Sequence, residues 1–311
     1  MLFRSLTENI PAMRGLAAPY GLTYIPGPWM ESIQITKGAG TVVNGYESLT
    51  GSINVEFKKP EELDHRYFIN VFAGNPGRYE ANLYAVQKLN DKWSTMFMAS
   101  GSYNQMKIDN NDDSFMDMPL LKHINLYSRW RYHSGEKLEG QFGVKFISEQ
   151  RHGGQVAFNK AEDFGTTSHY GMEALNNRIE LYTKTGLVYY DNPNKSMGIQ
   201  SDWVYHEVKS FIGLRNYTGV YKNGYINYIY QNEIKSCDHK FKAGVSLNVD
   251  DFNEQYDDET SAYIRDITYL IPGVFGEYTY NSGEKFTVIA GMRVDYNSEY
   301  KWLYTPRVHA K

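Results

Sequence analysis

From His65 to the end of the chain one device recurs, a run of about ten residues in which apolar and polar side chains alternate, followed by a turn. Strand side chains point to opposite faces with period two, and about ten residues is the length of a tilted strand crossing a bilayer. Trp93, Thr95, Phe97, Ala99 and Tyr103 share one face against Ser94, Met96, Met98, Ser100 and Asn104. Ile124, Leu126, Trp130 and Tyr132 oppose Asn125, Arg129, Arg131 and His133, and Leu138, Phe142, Val144 and Phe146 oppose Glu139, Gln141 and Lys145. The pattern returns where Phe241, Val245 and Leu247 oppose Lys240, Lys242 and Ser246, and where Phe286, Val288 and Met292 oppose Thr287, Arg293 and Asp295. One face is greasy and the other can line water.

The connections carry a second signal. Short turns at Leu89-Asn90-Asp91, Ser134-Gly135-Glu136, Asp191-Asn192-Pro193-Asn194 and Asn281-Ser282-Gly283-Glu284 alternate with longer segments at 105–118, 149–175, 211–217, 251–262 and 297–301. Long loops at one end and short turns at the other are the habit of an outer-membrane barrel. Counted from His65, the runs give about twelve strands, the last being Trp302–Ala310.

Composition agrees. The chain has no run of about 18 apolar residues, which excludes a helical membrane protein but not a barrel, whose alternating strands keep average hydropathy low. The 27 tyrosines and 5 tryptophans suit interfacial girdles. A net charge of −4 with mixed signs gives no support to a nucleic-acid partner. The single Cys237 cannot form an intramolecular disulfide and decides nothing about compartment.

Upstream lies a different stretch, Trp29–Lys59. Glu31-Ser32-Ile33-Gln34-Ile35-Thr36-Lys37 and Ser52-Ile53-Asn54-Val55-Glu56-Phe57 are strand-patterned halves around Gly38, Gly40, Gly45 and Gly51, and glycines this dense mark tight turns or close backbone approach. The succession Glu31…Lys37-Gly38, Asn44-Gly45-Tyr46-Glu47-Ser48, Gly51-Ser52-Ile53-Asn54 resembles the closing part of the plug domain of TonB-dependent outer-membrane receptors. Asn44-Gly45-Tyr46, Ile10-Pro11-Ala12-Met13-Arg14-Gly15 and Tyr24-Ile25-Pro26-Gly27-Pro28-Trp29 are similar to the Bacteroidetes-type subgroup.

The resemblance implies an all-β transmembrane fold, with residues 1–62 as the C-terminal part of a plug and 63–311 as about 12 of the 22 antiparallel strands of an outer-membrane β-barrel. It also implies a fragment, since the family's plug begins upstream with a box gripped by the TonB-type energy-transducing complex and no such box or export signal stands here. The expected location is the Gram-negative outer membrane, in contact with its lipid. The expected function is energised uptake of a scarce large solute, a metal chelate such as a ferric siderophore, haem or cobalamin. Two alternatives stay open, a glycan importer of the same barrel family and a soluble secreted carbohydrate-binding β-protein.

Met13, Arg14, Tyr20, Tyr24 and Trp29 are the candidate ligand contacts at the plug apices, because Arg and aromatics bind anionic chelates and flat rings; structural roles for them stay open. Glu31, Lys37, Gly38, Gly45, Gly51 and Asn54 are the structural plug motif, with Glu31 and Lys37 expected to pack against a polar wall. No nucleophile elbow, phosphate loop or His-x-x-x-His pair is present, so the chain reads as a non-enzyme that requires no cofactor. Asp109, Asn111, Asp113 and Asp117 have the oxygen spacing that opens a calcium loop, but Ser114 stands where that loop has glycine and Leu120 where it has glutamate. A structural Ca²⁺ and a merely solvated acidic loop both remain open. The acidic stretch Asp250-Asp251 and Glu254–Glu259 reads as exposed loop, and His152 and His169 as solvated. The methionines Met96, Met98, Met106, Met116 and Met118 read as flexible packing in preference to soft copper ligands.

Overall fold

A computed structural model of the chain describes residues 3–311 except 39, 49, 76, 136, 190, 191, 193, 235, 259, 284 and 285. It contains two sheets. The smaller one has four strands, β1 (Phe3–Thr7), β2 (Ile10–Pro11), β3 (Met30–Lys37) and β4 (Gly51–Phe57), in the order β2-β1-β4-β3. β1 runs parallel to β4, and β3 pairs antiparallel with β4 through a bulge at Glu31. Between β2 and β3 the chain turns through 3₁₀ segments at Gly15–Ala17, Gly21–Tyr24 and Gly27–Trp29.

The larger sheet has twelve strands, each antiparallel to the next in sequence. They are β5 (Tyr67–Gly74), β6 (Arg78–Lys88), β7 (Trp93–Asn104), β8 (Leu120–His133), β9 (Leu138–Gly154), β10 (Gly171–Val188), β11 (Ser196–Ile212), β12 (Arg215–Ile234), β13 (Ser236–Asp257), β14 (Ala262–Ser282), β15 (Phe286–Asn297) and β16 (Lys301–Ala310). β5 and β16 are its two edges. The strand count and the final strand match the reading of the sequence. No described helix is long and apolar enough to cross a membrane.

Period two sorts the wall as expected. One face turns to the small sheet and buries Asn82, Met96, Met98, Asn125, Arg129, Arg178, Asp202, Asn227, Arg293 and Asp295; the opposite face exposes Leu83, Phe97, Ile124, Phe146, Ile179, Trp203, Val245 and Val274. The apolar core is therefore an interface. Ile10, Ile25, Trp29, Val55 and Phe57 of the small sheet pack on Tyr84, Met96, Met98, Tyr127, Tyr182 and Tyr225 of the wall. Met96 and Met98 are fully buried in this interface.

Three expectations need correction. Strands β9–β14 run 17 to 22 residues, well beyond ten, and absorb much of the predicted loops. The stretch 211–217 is strand apart from the two-residue turn at 213–214, and 251–257 is strand. That acidic stretch pairs because cations face it: Glu254 lies opposite Arg265 at 2.5 Å and Asp251 opposite Lys222 at 3.5 Å. Finally, β3 is an edge strand with Ile33 and Ile35 55% and 63% exposed, and none of the wall strands of this chain covers Glu31 and Lys37, which are exposed on it. The turns expected at 134–136, 191–194 and 281–284, and the end of the acidic stretch at Glu259, lie partly outside the described residues.

Candidate functional site

The small sheet is held inside the wall by polar side chains that reach its backbone. Arg307 of β16 donates from Nη1 to the carbonyls of Gly40 (2.5 Å) and Thr41 (2.6 Å) and from Nη2 to that of Gly45 (2.8 Å). Glu277 of β14 accepts from Thr41 Oγ1 (2.6 Å) and the Val42 amide (3.3 Å). Gly45 explains the glycine-rich centre. Its φ is +81°, and a Cβ there would lie 2.2 Å from Arg4 Nη1, so no other residue fits without displacing that arginine. Gly38 and Gly51 also have positive φ, and Asn54 is buried, its Oδ1 accepting from the Asn9 amide at 2.8 Å.

A second anchor lies toward the opposite end. Arg129 donates to the carbonyls of Phe57 and Lys58 (both 3.1 Å) and to Glu8 Oε2 (3.2 Å), while Lys184 Nζ donates to the Glu8 carbonyl (2.8 Å). Burial alone would raise the Glu8 carboxyl, but Arg129, the Phe57 amide and Lys184 outweigh it and hold the group below its ordinary value.

At the end of the wall that carries the connections 105–119, 155–170 and 298–300, a pocket of about 280 Å³ opens between the two sheets. The small sheet contributes Arg4, Met13, Arg14, Tyr46 and Glu47; the wall contributes Tyr221, Asp250, Phe252, Arg265, Tyr269 and Tyr300. Arg14 is its centre. It donates to Asn248 Oδ1 (2.7 Å), Glu47 Oε1 (3.0 Å) and Asp250 Oδ2 (3.1 Å), and Tyr221 donates to the other oxygen of Asp250 (2.5 Å). Burial opposes the Arg14 charge, but Glu47 and Asp250 outweigh it and hold the guanidinium above its usual value. The Glu47 carboxyl, which burial would raise, is kept low by Arg14 and Arg4, and burial with Glu47 alongside pushes the Tyr46 phenol up to about 12. The rim is aromatic: Tyr269 stacks on Tyr300 (centroids 6.0 Å, planes 14° apart), meets Phe252 edge-on (6.1 Å), and the Arg265 guanidinium lies 5.1 Å over Phe252.

Beside it, Thr23–Pro28 and the inner faces of β6–β9 enclose a polar compartment of about 460 Å³ lined by Arg78, Asn82, Ser100, Asn104, His123 and Arg151. The predicted apex residues therefore divide. Met13, in a left-handed backbone conformation (φ +56°), and Arg14 line the first pocket, and Tyr20 is half-buried with Arg151 5.0 Å over its ring. Tyr24 is buried between His123 and His206, its carbonyl accepting from Asn125 at 2.5 Å. Trp29 is 1% exposed against Phe57 and Tyr127, so it presents no surface to a ligand from outside. The pocket residues Tyr221, Arg265, Tyr269 and Tyr300 were not singled out from sequence, and Asp250, read there as exposed loop, is a buried strand residue because Arg14, Tyr221 and Asn248 bond its carboxylate. All but Tyr300, which sits in the connection 298–300, are lumen-facing strand residues, and nothing local says which plug segment they will meet.

In the loop 109–117 the acidic side chains turn onto the loop's own amides. Asp109 accepts from Asp113 and Ser114, Asp113 from Phe115 and from the Asn111 side chain, and Asp117 from Asn110. Among the described residues no three of His, Cys, Asp or Glu stand together as a metal site. His169 and His152 pair with Asp163 (3.1 Å) and Glu173 (3.8 Å), so neither is simply solvated.

A wall of antiparallel strands, greasy outside and polar inside, with a small mixed sheet lodged in its lumen, is the architecture of part of a plugged outer-membrane barrel. No protein-family model matches the chain, and no curated protein does. Solved structures do. The chain resembles the pyoverdine outer-membrane receptor FpvA from Pseudomonas aeruginosa PAO1 bound to pyoverdine (TM-score 0.76, 14% identity, 99% of this chain and 52% of that one). It resembles the FpvAI–pyocin S2 complex (0.75, 14%, 99% and 49%) and the copper transporter OprC (0.75, 14%, 99% and 51%) to the same degree. The chain thus spans about half the length of these structures. At this identity the likeness establishes the fold, the one implied by the plug motif.

Proposed function

We propose that the chain belongs to a TonB-dependent receptor of the Gram-negative outer membrane that takes up a metal chelate. The observation that carries this reading is the pocket at the long-loop end, where Arg4, Arg14 and Arg265 meet a rim of Phe252, Tyr269 and Tyr300 directly over the plug. The aromatic faces suit the flat rings of a chelate, and the guanidinium N–H groups left over after Arg14 pairs with Glu47 and Asp250 and Arg265 with Glu254 can still donate to its oxygens. A lumen filled by a folded sheet is not an open pore, so passage requires the plug to move. Its wall contacts combine hydrogen bonds to arginine and carboxylate side chains, which water replaces at modest net cost, with the apolar cluster around Trp29 and Phe57, which water does not replace. An energy-transducing inner-membrane complex supplies the work in this reading. The structural neighbours include a siderophore receptor, PirA, an alcaligin receptor, FauA, and a copper transporter, OprC, in keeping with a metal-bearing cargo.

The test is tryptophan-fluorescence titration of the receptor with a ferric catecholate, a ferric hydroxamate and haem, alongside metal uptake by a strain lacking the gene. Binding of one probe with Kd below about 1 μM, weakened at least tenfold by Arg265→Gln with Tyr300→Ala, is expected. Normal metal uptake in the deletion strain, with no probe bound below about 1 mM, overturns the reading.

A further inference from the structure

The outer face of the wall, turned away from the plug, is not uniformly convex. Across β5–β10 it sinks into a groove of about 650 Å³. Its floor is formed by Ala81, Gly101 and Ser148, small residues on three strands; Ala81 pairs with Gly101, and Ile124 stands between Gly101 and Ser148. The smallness is not imposed from within. A Cβ at Gly101 would meet one backbone oxygen, at an ordinary 3.7 Å, so the space lies open on the outside.

The groove has a polar end. Tyr79 and Tyr103 pair across β6 and β7, and next to Tyr103 in register comes Lys122. Lys122 is exposed two residues from the start of β8, close to the long connection 105–119, and among the described residues no carboxylate lies within 4.0 Å of it. Its neighbour Gln150 donates to Glu173, whose charge Lys160 meets at 2.5 Å, and Ser148 donates to Asn177 at 2.8 Å. An uncompensated cation on a lipid-facing surface is costly at hydrocarbon depth and favourable beside a phosphate at the interface.

We infer that this groove binds one phosphorylated lipid of the outer leaflet, its phosphate on Lys122 and an acyl chain over Ala81, Gly101 and Ser148. The polar end lies at the long-loop rim, so the chain points into the bilayer, as an outer-leaflet lipid must. The inference rests on the proposed membrane location and not on the transported solute.

The test is native mass spectrometry of the detergent-purified receptor containing this chain after incubation with lipid A or with its dephosphorylated form. Lipid A is expected to be retained as a single adduct, reduced at least fivefold on dephosphorylation and in Lys122→Glu, and unaffected in the control Lys222→Glu on β12. Gly101→Leu, which fills the groove and keeps the charge, is expected to lower retention of both lipids. Heat-modifiability of each preparation reports that the barrel has formed. Equal retention of both lipids, or retention in Lys122→Glu equal to wild type, overturns the groove site. A wild-type receptor that never yields a heat-modifiable barrel overturns the membrane reading beneath it.

Discussion

At the scale of residues, the plug is fixed by a few long-range pairings that the sequence does not advertise. Arg307 and the Gly45 carbonyl are 262 positions apart, and Arg14 and Asp250 are 236 apart. Periodicity says that both wall residues face the lumen; only the fold says what they meet there. The glycine cluster was legible as close approach, and Gly45→Ala is expected to lower plug stability by about 1–3 kcal/mol through its positive φ, with further loss from the Arg4 clash. Arg129→Met leaves Glu8 buried without its guanidinium and is expected to cost about 3–5 kcal/mol, read as increased protease cleavage of the plug. Trp29→Ala separates packing from recognition. It should loosen the plug by about 3–5 kcal/mol and leave chelate Kd within twofold in the folded fraction. A Kd raised tenfold with the plug fully protected would return Trp29 to the binding site.

At the scale of elements, the wall strands were readable because a two-residue period survives whatever lies opposite. Their ends were not. Asp251, Asn253, Glu254 and Gln255 have the composition of a loop, yet the residues facing them on β12 and β14 include Lys222 and Arg265, and cross-strand partners are invisible to a local reading. The edge position of β3 was equally hidden, since Ile33 and Ile35 carry the same alternation as a covered strand. The loop 109–117 has a calcium-like spacing, and its carboxylates accept from the loop's own amides in Asx-type turns that hold it without an ion. Millimolar calcium is expected to leave its limited-proteolysis pattern unchanged; protection by calcium would establish a metal loop.

At the scale of the whole molecule, the plug motif and the alternation together made the fold legible, and the outward pocket was not, because it is assembled from both sheets. The acid behaviour of the assembly follows from Glu8 and Glu47. Both carboxyls are held below the ordinary value of 4.5 in the docked plug, so each contributes stability in full above that pH and loses it as pH falls through the depressed value. Plug protection from protease should therefore be flat from pH 8 to about 5 and decline below about 4.5. The most direct test of the account is to express the gene containing this sequence in a Gram-negative host and follow the product through fractionation and unheated electrophoresis. A heat-modifiable protein in the outer-membrane fraction is the predicted result; a soluble product of unchanged mobility would mean that the greasy face of the wall packs a soluble core, and the receptor reading would be contradicted.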